Sequence, residues 1–140
     1  MDEYTIVSQI NRSQDQIYDL QTSIEEKRQK IQDLEAFRSK FNSMSAEFDN
    51  EISNRRQAIS NVQMNAAQCR TLKRYQAKME SVLTGNKKSN IDWSFSEGNT
   101  AINTKIEQLE EEIQQDYAKI NSIEDNIWNL KDMLNTLEDS

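Results

Sequence analysis

Near its C-terminus the chain repeats isoleucine or leucine at every seventh position, and a second apolar residue stands three positions after most of them. The two sets are Ile106, Ile113, Ile120, Ile127 and Leu134, and Leu109, Ile123, Leu130 and Leu137. Positions with this spacing form a narrow stripe by which one helix packs against another. Asp116 interrupts the stripe at a d position, with Tyr117 beside it. Because so narrow a stripe cannot be buried by a lone helix, the segment predicts a paired helix.

The N-terminal segment carries a similar stripe. Isoleucines recur at sevens, with leucines at two of the d positions, in the order Ile10, Ile17, Leu20, Ile24, Ile31 and Leu34. The register then slips, since Phe37 follows Leu34 by three residues where four are due. Such slips locally change the winding of a supercoil, so Phe37, Phe41 and Phe48 predict a change of packing.

Residues that interrupt helices are scarce. The chain has no proline, and its two glycines are Gly85 and Gly98. We therefore predict a long helical region over residues 1–84, a loop or turn over 85–98 and a heptad helix over 99–140. Gly85 is expected to end the first region in a left-handed cap conformation.

These patterns predict one all-α domain, either an elongated antiparallel helical hairpin or a three-helix coiled-coil bundle. A helix over the whole first region would be about twice as long as the C-terminal one. Either it folds back near residues 42–45, or its unmatched end meets another protein. Charge does not decide between them, because a fold-back places residues 27–30 against the acidic run 110–112, and a hairpin at Gly85 places residues 70–74 there.

The amino-acid composition limits the partners and activities that we expect of the chain. A net charge of −7 disfavours nucleic acid as the main partner, since phosphate recognition needs a basic surface. Histidine is absent, and neither glycine belongs to a phosphate-binding loop. We expect no enzymatic activity, no cofactor and no metal. The single cysteine, Cys69, is expected to be a buried thiol on the apolar stripe.

The sequence has no apolar run near 18 residues and begins with acidic residues. These observations predict no membrane insertion and a cytoplasmic protein, unless it leaves the cell by a route that needs no cleaved signal.

Candidate binding residues belong to three groups. Trp93 and Phe95 either close the end of the bundle or anchor a partner protein. The stripe residues Ile106, Ile113, Ile120 and Ile127 drive association, within the chain or with a partner. Trp128 and Asp132 stand one helical turn apart, so they either flank the stripe or form a displayed recognition pair.

Two features resemble the WXG-like helical accessory proteins that accompany LXG toxins in Gram-positive type VII secretion. That family has a Trp-x-Gly turn between two helices, whereas here Trp93 is followed by Ser94 and Phe95, and glycine comes at Gly98. It also often has an aromatic-x-x-x-Asp signal near the C-terminus, which Trp128 to Asp132 matches in spacing.

The resemblance implies a non-enzymatic adaptor or chaperone that binds the helical N-terminal domain of an LXG toxin and promotes its export. A second small helical accessory protein, or a second copy of the chain, is a further expected partner. Trp128 and Asp132 would then be the export signal. The alternative class is a structural coiled-coil scaffold or tethering subunit.

Overall fold

The computed structural model describes residues 1–65 and 70–139, and these residues form three α-helices. They are α1 (Glu3–Asn65), α2 (Arg70–Thr84) and α3 (Asn86–Asp139). Within the described ranges, only Met1, Asp2 and Gly85 lie outside a helix. The all-α class predicted from the apolar periodicity is therefore confirmed. The prediction for Cys69 concerns a residue outside these ranges.

Asp2 caps the start of α1. Its carboxylate accepts a hydrogen bond of 2.7 Å from the backbone N–H of Thr5, which would otherwise lack a partner within the helix. The hydrogen bond from the Thr5 side chain, and after it this backbone bond, lowers the pKa of Asp2 from its ordinary value.

The predicted break near residues 42–45 is wrong, because α1 continues through them to Asn65. Asn42, Ser43 and Ser45 favour helix caps, but this preference is weak and the surrounding helix overrides it. The amide of Asn42 instead accepts a hydrogen bond of 2.7 Å from the side chain of Asn99.

The predicted loop over residues 85–98 is also wrong, since α3 already begins at Asn86. Gly85 does end α2, but its φ is not positive, so the expected left-handed cap is absent. A Cβ at Gly85 would lie 2.4 Å from the carbonyl oxygen of Ser81. Gly85 thus permits an interruption between two helices that follow one another closely.

The chain divides into two compact units. In unit 1, Met1–Asp33 of α1 packs antiparallel against the part of α3 from Lys105 onward. Its seam, the line of side chains buried between the two helices, contains two apolar clusters. One is Ile6, Ile10, Ile127 and Leu130, and the other is Ile24, Ile113 and Ile120. The two heptad stripes therefore pack on each other, as their spacing predicted.

Unit 2 comprises Leu34–Thr104. Here the rest of α1 runs antiparallel to α2 and to the start of α3. Contacts between the two sides are aromatic, polar and ionic: Phe41 with Phe95, Asp49 with Lys88, Arg56 with Glu80, and the carbonyl of Ile59 with Gln76. The unit begins at Leu34, where the heptad register slips.

Helix α1, which ends at Asn65, and helix α2, which begins at Arg70, are antiparallel in unit 2. Both expected reversal points, residues 42–45 and Gly85, are thus wrong. In each unit two helical sides face one another, so the antiparallel hairpin is the correct alternative and the three-helix bundle is not.

Candidate protein-binding surfaces

The stripe residues predicted to bind a partner are buried inside the chain. Ile106, Ile113, Ile120 and Ile127 are each 6–7% exposed, and the last three belong to the seam clusters of unit 1. They hold α1 and α3 together and are not available to another protein while the hairpin is closed. A partner of the folded chain therefore has to use other side chains.

A polar cluster interrupts the seam of unit 1 at Asp116, which is 5% exposed. Its carboxylate accepts hydrogen bonds from Lys27 Nζ at 2.7 Å and from Ser23 Oγ at 3.1 Å. The bond from Lys27 is the main reason that the pKa of Asp116 is lowered, while burial opposes the change. Beside this cluster, the Arg28 guanidinium donates a hydrogen bond to the Tyr117 hydroxyl. Lys27 thus pairs with Asp116 and not with the acidic run 110–112, which the fold-back alternative placed against residues 27–30.

The two sides of the seam in unit 2 can be told apart by sequence position. On α1, residues that directly follow a seam residue, such as Asp49, Ser53 and Ser60, line one groove together with Glu80 of α2. Residues that directly precede one, such as Glu47 and Glu51, line a different groove. In an antiparallel pair of right-handed helices, the residues that directly precede seam residues lie on one side of the seam in both helices, and those that directly follow seam residues lie on the other side. We call these the preceding side and the following side.

The preceding side of unit 2 carries five large apolar side chains that are exposed. Phe37, Met44, Tyr75, Val82 and Ile91 precede Arg38, Ser45, Gln76, Leu83 and Asp92, all of which are buried or half-buried. Their side chains are 54%, 58%, 60%, 59% and 39% exposed. We call these five residues the apolar face. Single exposed apolar side chains are ordinary, whereas contiguous exposed apolar patches are typical of interaction surfaces.

The following side of unit 2 is mainly polar, although Trp93 also lies on it. Its groove is lined by serine, glutamine and charged side chains, and it contains the ion pairs of Arg56 with Glu80 and of Lys88 with Asp49. The pKa of Lys88 is raised, mainly by its hydrogen bond to Asp92. These groups already satisfy one another, so this side offers less to a partner than the apolar face does.

Trp93 and Phe95 do not act together. The Phe95 ring packs between Phe41 and Phe48, at centroid distances of 5.0 and 6.4 Å, and so belongs to the seam of unit 2. Trp93 is 62% exposed and lies outside the apolar face, because it follows Asp92. Neither residue lies in a turn, since both are within α3.

In unit 1 several exposed aromatic residues occupy following positions, whereas Tyr4, which is 82% exposed, precedes Thr5. Tyr117 and Trp128 follow Asp116 and Ile127, Tyr18 follows Ile17, and Val7 follows Ile6. Trp128 is 74% exposed. Asp132, one turn later on the same helix, is also exposed. Trp128 therefore does not pack on the neighbouring helix, and the pair faces solvent while Ile127 and Leu130 fill the seam.

Sequence reasoning missed the apolar face, because its residues were assigned to stripes or passed over singly. A signal was present: each of these residues directly precedes a seam position, which becomes recognisable once the two antiparallel partners are aligned.

No family model, curated protein or solved structure matches this chain. Among the helices that the structure describes, none is long and apolar enough to span a membrane.

Proposed function

We propose that this protein is a non-enzymatic helical adaptor that binds the helical N-terminal domain of an LXG toxin and presents the complex for type VII export. The observation that carries the proposal is the display of Trp128, whose side chain is 74% exposed although its neighbour Ile127 is buried. An exposed tryptophan is a frequent anchor of protein recognition. Asp132 adds a charge one turn away on the same helix.

The order of events follows from which side chains are free. Since the seam of unit 1 is closed by its own helices, the toxin domain binds an outer surface of the folded hairpin. Trp128 and Asp132 are not needed for closure, so a receptor of the secretion machine can recognise them in the finished complex.

Measuring toxin export and complex formation on the same variants tests this proposal. Trp128→Ala and Asp132→Ala should leave the stability of the chain and the purified toxin complex unchanged, and toxin export should fall to background. Tyr18→Ala and Asp125→Ala are matched controls, because they remove an exposed aromatic ring and an exposed carboxylate from other places in unit 1. Normal export in both test variants would rule out the pair as the signal. If no LXG domain forms a complex with the unmodified chain, the adaptor proposal itself fails.

A structural scaffold that associates with itself is the second candidate. The apolar face of unit 2 favours it, because that surface is independent of Trp128 and Asp132.

A further inference from the structure

Basic side chains are concentrated in one stretch of unit 2. Residues 52–79 contain no aspartate or glutamate, although the chain has 24 of them, and they contain six basic residues: Arg55, Arg56, Arg70, Lys73, Arg74 and Lys78. The two arginines of α1 already have acidic partners, since Arg55 pairs with Glu51 at 2.9 Å and Arg56 with Glu80 at 3.5 Å. The four cations of α2 are exposed, and among the described residues none of them has an ion-pair partner.

Arg70, Lys73 and Arg74 form a patch that points away from the seam of unit 2. They stand at positions i, i+3 and i+4, which are neighbours on the surface of a helix. Arg74 lies two residues before the buried Gln76, and two residues turn an α-helix by about 200°. We call these three residues the basic patch.

A patch of opposite charge and equal spacing lies on α3 in unit 1. Glu107, Glu110 and Glu111 are exposed and also stand at positions i, i+3 and i+4. Glu111 lies two residues before the buried Ile113, so it likewise points away from its seam. We call these three glutamates the acidic patch. Among the residues that the structure describes, none of the three has an ion-pair partner.

Neighbouring cations are not paired with the acidic patch. Lys105 and Lys119 directly precede seam residues of α3, whereas Glu107 and Glu110 directly follow them, so these lysines lie on the other side of the seam. Two arginines of α1 reach the following side of α3, but they bind other groups: Arg28 binds Tyr117, and Arg38 binds Asn103. The carboxylates of the patch therefore face solvent and are open to a partner.

We propose that the basic patch of one copy of the chain binds the acidic patch of a second copy. When the two helices lie side by side and parallel, the equal spacing brings each cation level with one carboxylate, in the order of the sequence. The contact is heterologous, because its two halves are different surfaces. Exposed ion pairs are individually weak, so the association is weak and depends on salt.

A second copy fits the basic patch better than a polyanion such as nucleic acid or an anionic membrane. All 24 acidic residues of the chain lie outside residues 52–79 and give the chain its net charge of −7, so an extended polyanion would be repelled by much of the protein. A short acidic patch avoids this repulsion, and the chain itself supplies one of matching spacing. The proposal uses neither the apolar face nor Trp128 and Asp132, so it does not rest on the adaptor role.

Sedimentation velocity of the purified full-length chain tests the proposal. The average mass of the unmodified protein should rise with protein concentration at about 50 mM salt, and the association constant should fall about tenfold or more at about 500 mM salt. Arg70→Glu combined with Arg74→Glu should weaken association about tenfold or more, and so should Glu107→Lys combined with Glu111→Lys. The helical circular dichroism spectrum should be unchanged in both variants, because all four side chains are exposed.

Mixing the two variants is the decisive measurement. Each variant retains one native patch, and the two native patches are complementary, as are the two reversed ones. An equimolar mixture should therefore associate, although neither variant does so alone. Lys40→Glu combined with Lys87→Glu is the matched control, because it changes the net charge as much as the first variant does, at exposed positions of unit 2 outside the basic patch. This control should associate like the unmodified chain.

The proposal is overturned by an unmodified chain that stays monomeric at low salt from micromolar to millimolar concentration. A mixture of the two variants that fails to associate overturns it too, as does a control that loses association as fully as the patch variants do. Binding of duplex DNA or of anionic vesicles by the basic patch, without self-association, would have the same consequence. Toxin binding and export enter none of these measurements, so failure here is distinct from failure of the adaptor proposal.

Discussion

Gly98 makes room for an aromatic ring in the seam of unit 2. A Cβ at this position would lie 2.6 Å from Cζ and 2.9 Å from Cε1 of Phe41. The ring cannot move away freely, because it is stacked on Phe37 and also packs against Phe95. Glycine at this position therefore serves close packing inside a helix.

Gly98→Ala should consequently destabilise the protein, although alanine is the better helix former by about 1 kcal/mol. Overpacking a seam lowers the free energy of unfolding by about 1–3 kcal/mol, which equals or exceeds the gain from the higher helix propensity of alanine. Urea unfolding of the single variant and of Gly98→Ala with Phe41→Leu measures the effect. The smaller leucine should recover stability relative to Gly98→Ala. A single variant that is clearly more stable than the unmodified chain would contradict the steric argument.

The ion pair of Lys27 with Asp116 gives a second prediction at the same scale. Lys27→Met should cost about 2–3 kcal/mol at neutral pH, because it leaves a buried carboxylate without its main partner. Replacing both residues, by Lys27→Met and Asp116→Leu, should recover most of that loss. The cost of the single substitution and the recovery in the double one are measured by urea unfolding. A double variant as unstable as the single one would show that the charges are not the cause.

The pH dependence of this pair has a definite sign. The folded-state pKa of Asp116 lies below the ordinary 3.8, so its contribution to stability is present above that value and is lost as the pH falls through the folded-state pKa. The stability difference between the unmodified chain and Asp116→Asn should therefore shrink below about pH 4. A difference that stays constant down to the acid limit of folding would contradict the lowered pKa.

At the scale of elements, the continuity of α1 is the feature most open to test. Ser43→Pro should cost about 3 kcal/mol or more, because proline in a helix interior removes a hydrogen bond and clashes with the preceding turn. Glu3→Pro is the control, since it lies in the first turn of α1, where proline is tolerated. Thermal unfolding of the two variants measures both effects. Equal, small effects would indicate that the chain does break near residues 42–45.

Helical content and the pairing of the two stripes could be predicted from the sequence, because the spacing of Ile10 to Leu34 and of Ile106 to Leu137 has physical meaning in a single segment. The antiparallel pairing of α1 with α2 could not, since no glycine or proline stands between Asn65 and Arg70. Gly85 and Gly98 were misleading signals. Glycine marks a turn only where the backbone needs its conformational freedom, whereas Gly85 and Gly98 permit close approaches to Ser81 and Phe41. The displayed position of Trp128 also depended on the pairing, which decides which flank of a stripe remains exposed.

At the scale of the molecule, each unit combines a closed seam with exposed side chains that the seam does not use. In unit 1 these include Tyr18, Tyr117 and Trp128, and in unit 2 they are the apolar face. Because the two sets occupy different units, variants of one should leave the other unaffected. This separation allows export and self-association to be measured as independent properties.

The pairing of distant segments also has a consequence for how the chain folds. The contact of Gln76 with the Ile59 carbonyl joins residues 17 apart in sequence, whereas that of Ser23 with Asp116 joins residues 93 apart, so forming the second contact first would cost about 1.5 kcal/mol more in loop-closure entropy. Once the nearer contact exists, each successive turn of the seam closes only a short additional loop. The ends of the chain should therefore join last, and pulsed hydrogen exchange should record protection around Ile59 before protection around Ile24. The reverse order would mean that the apolar clusters of unit 1 outweigh chain entropy in starting the fold.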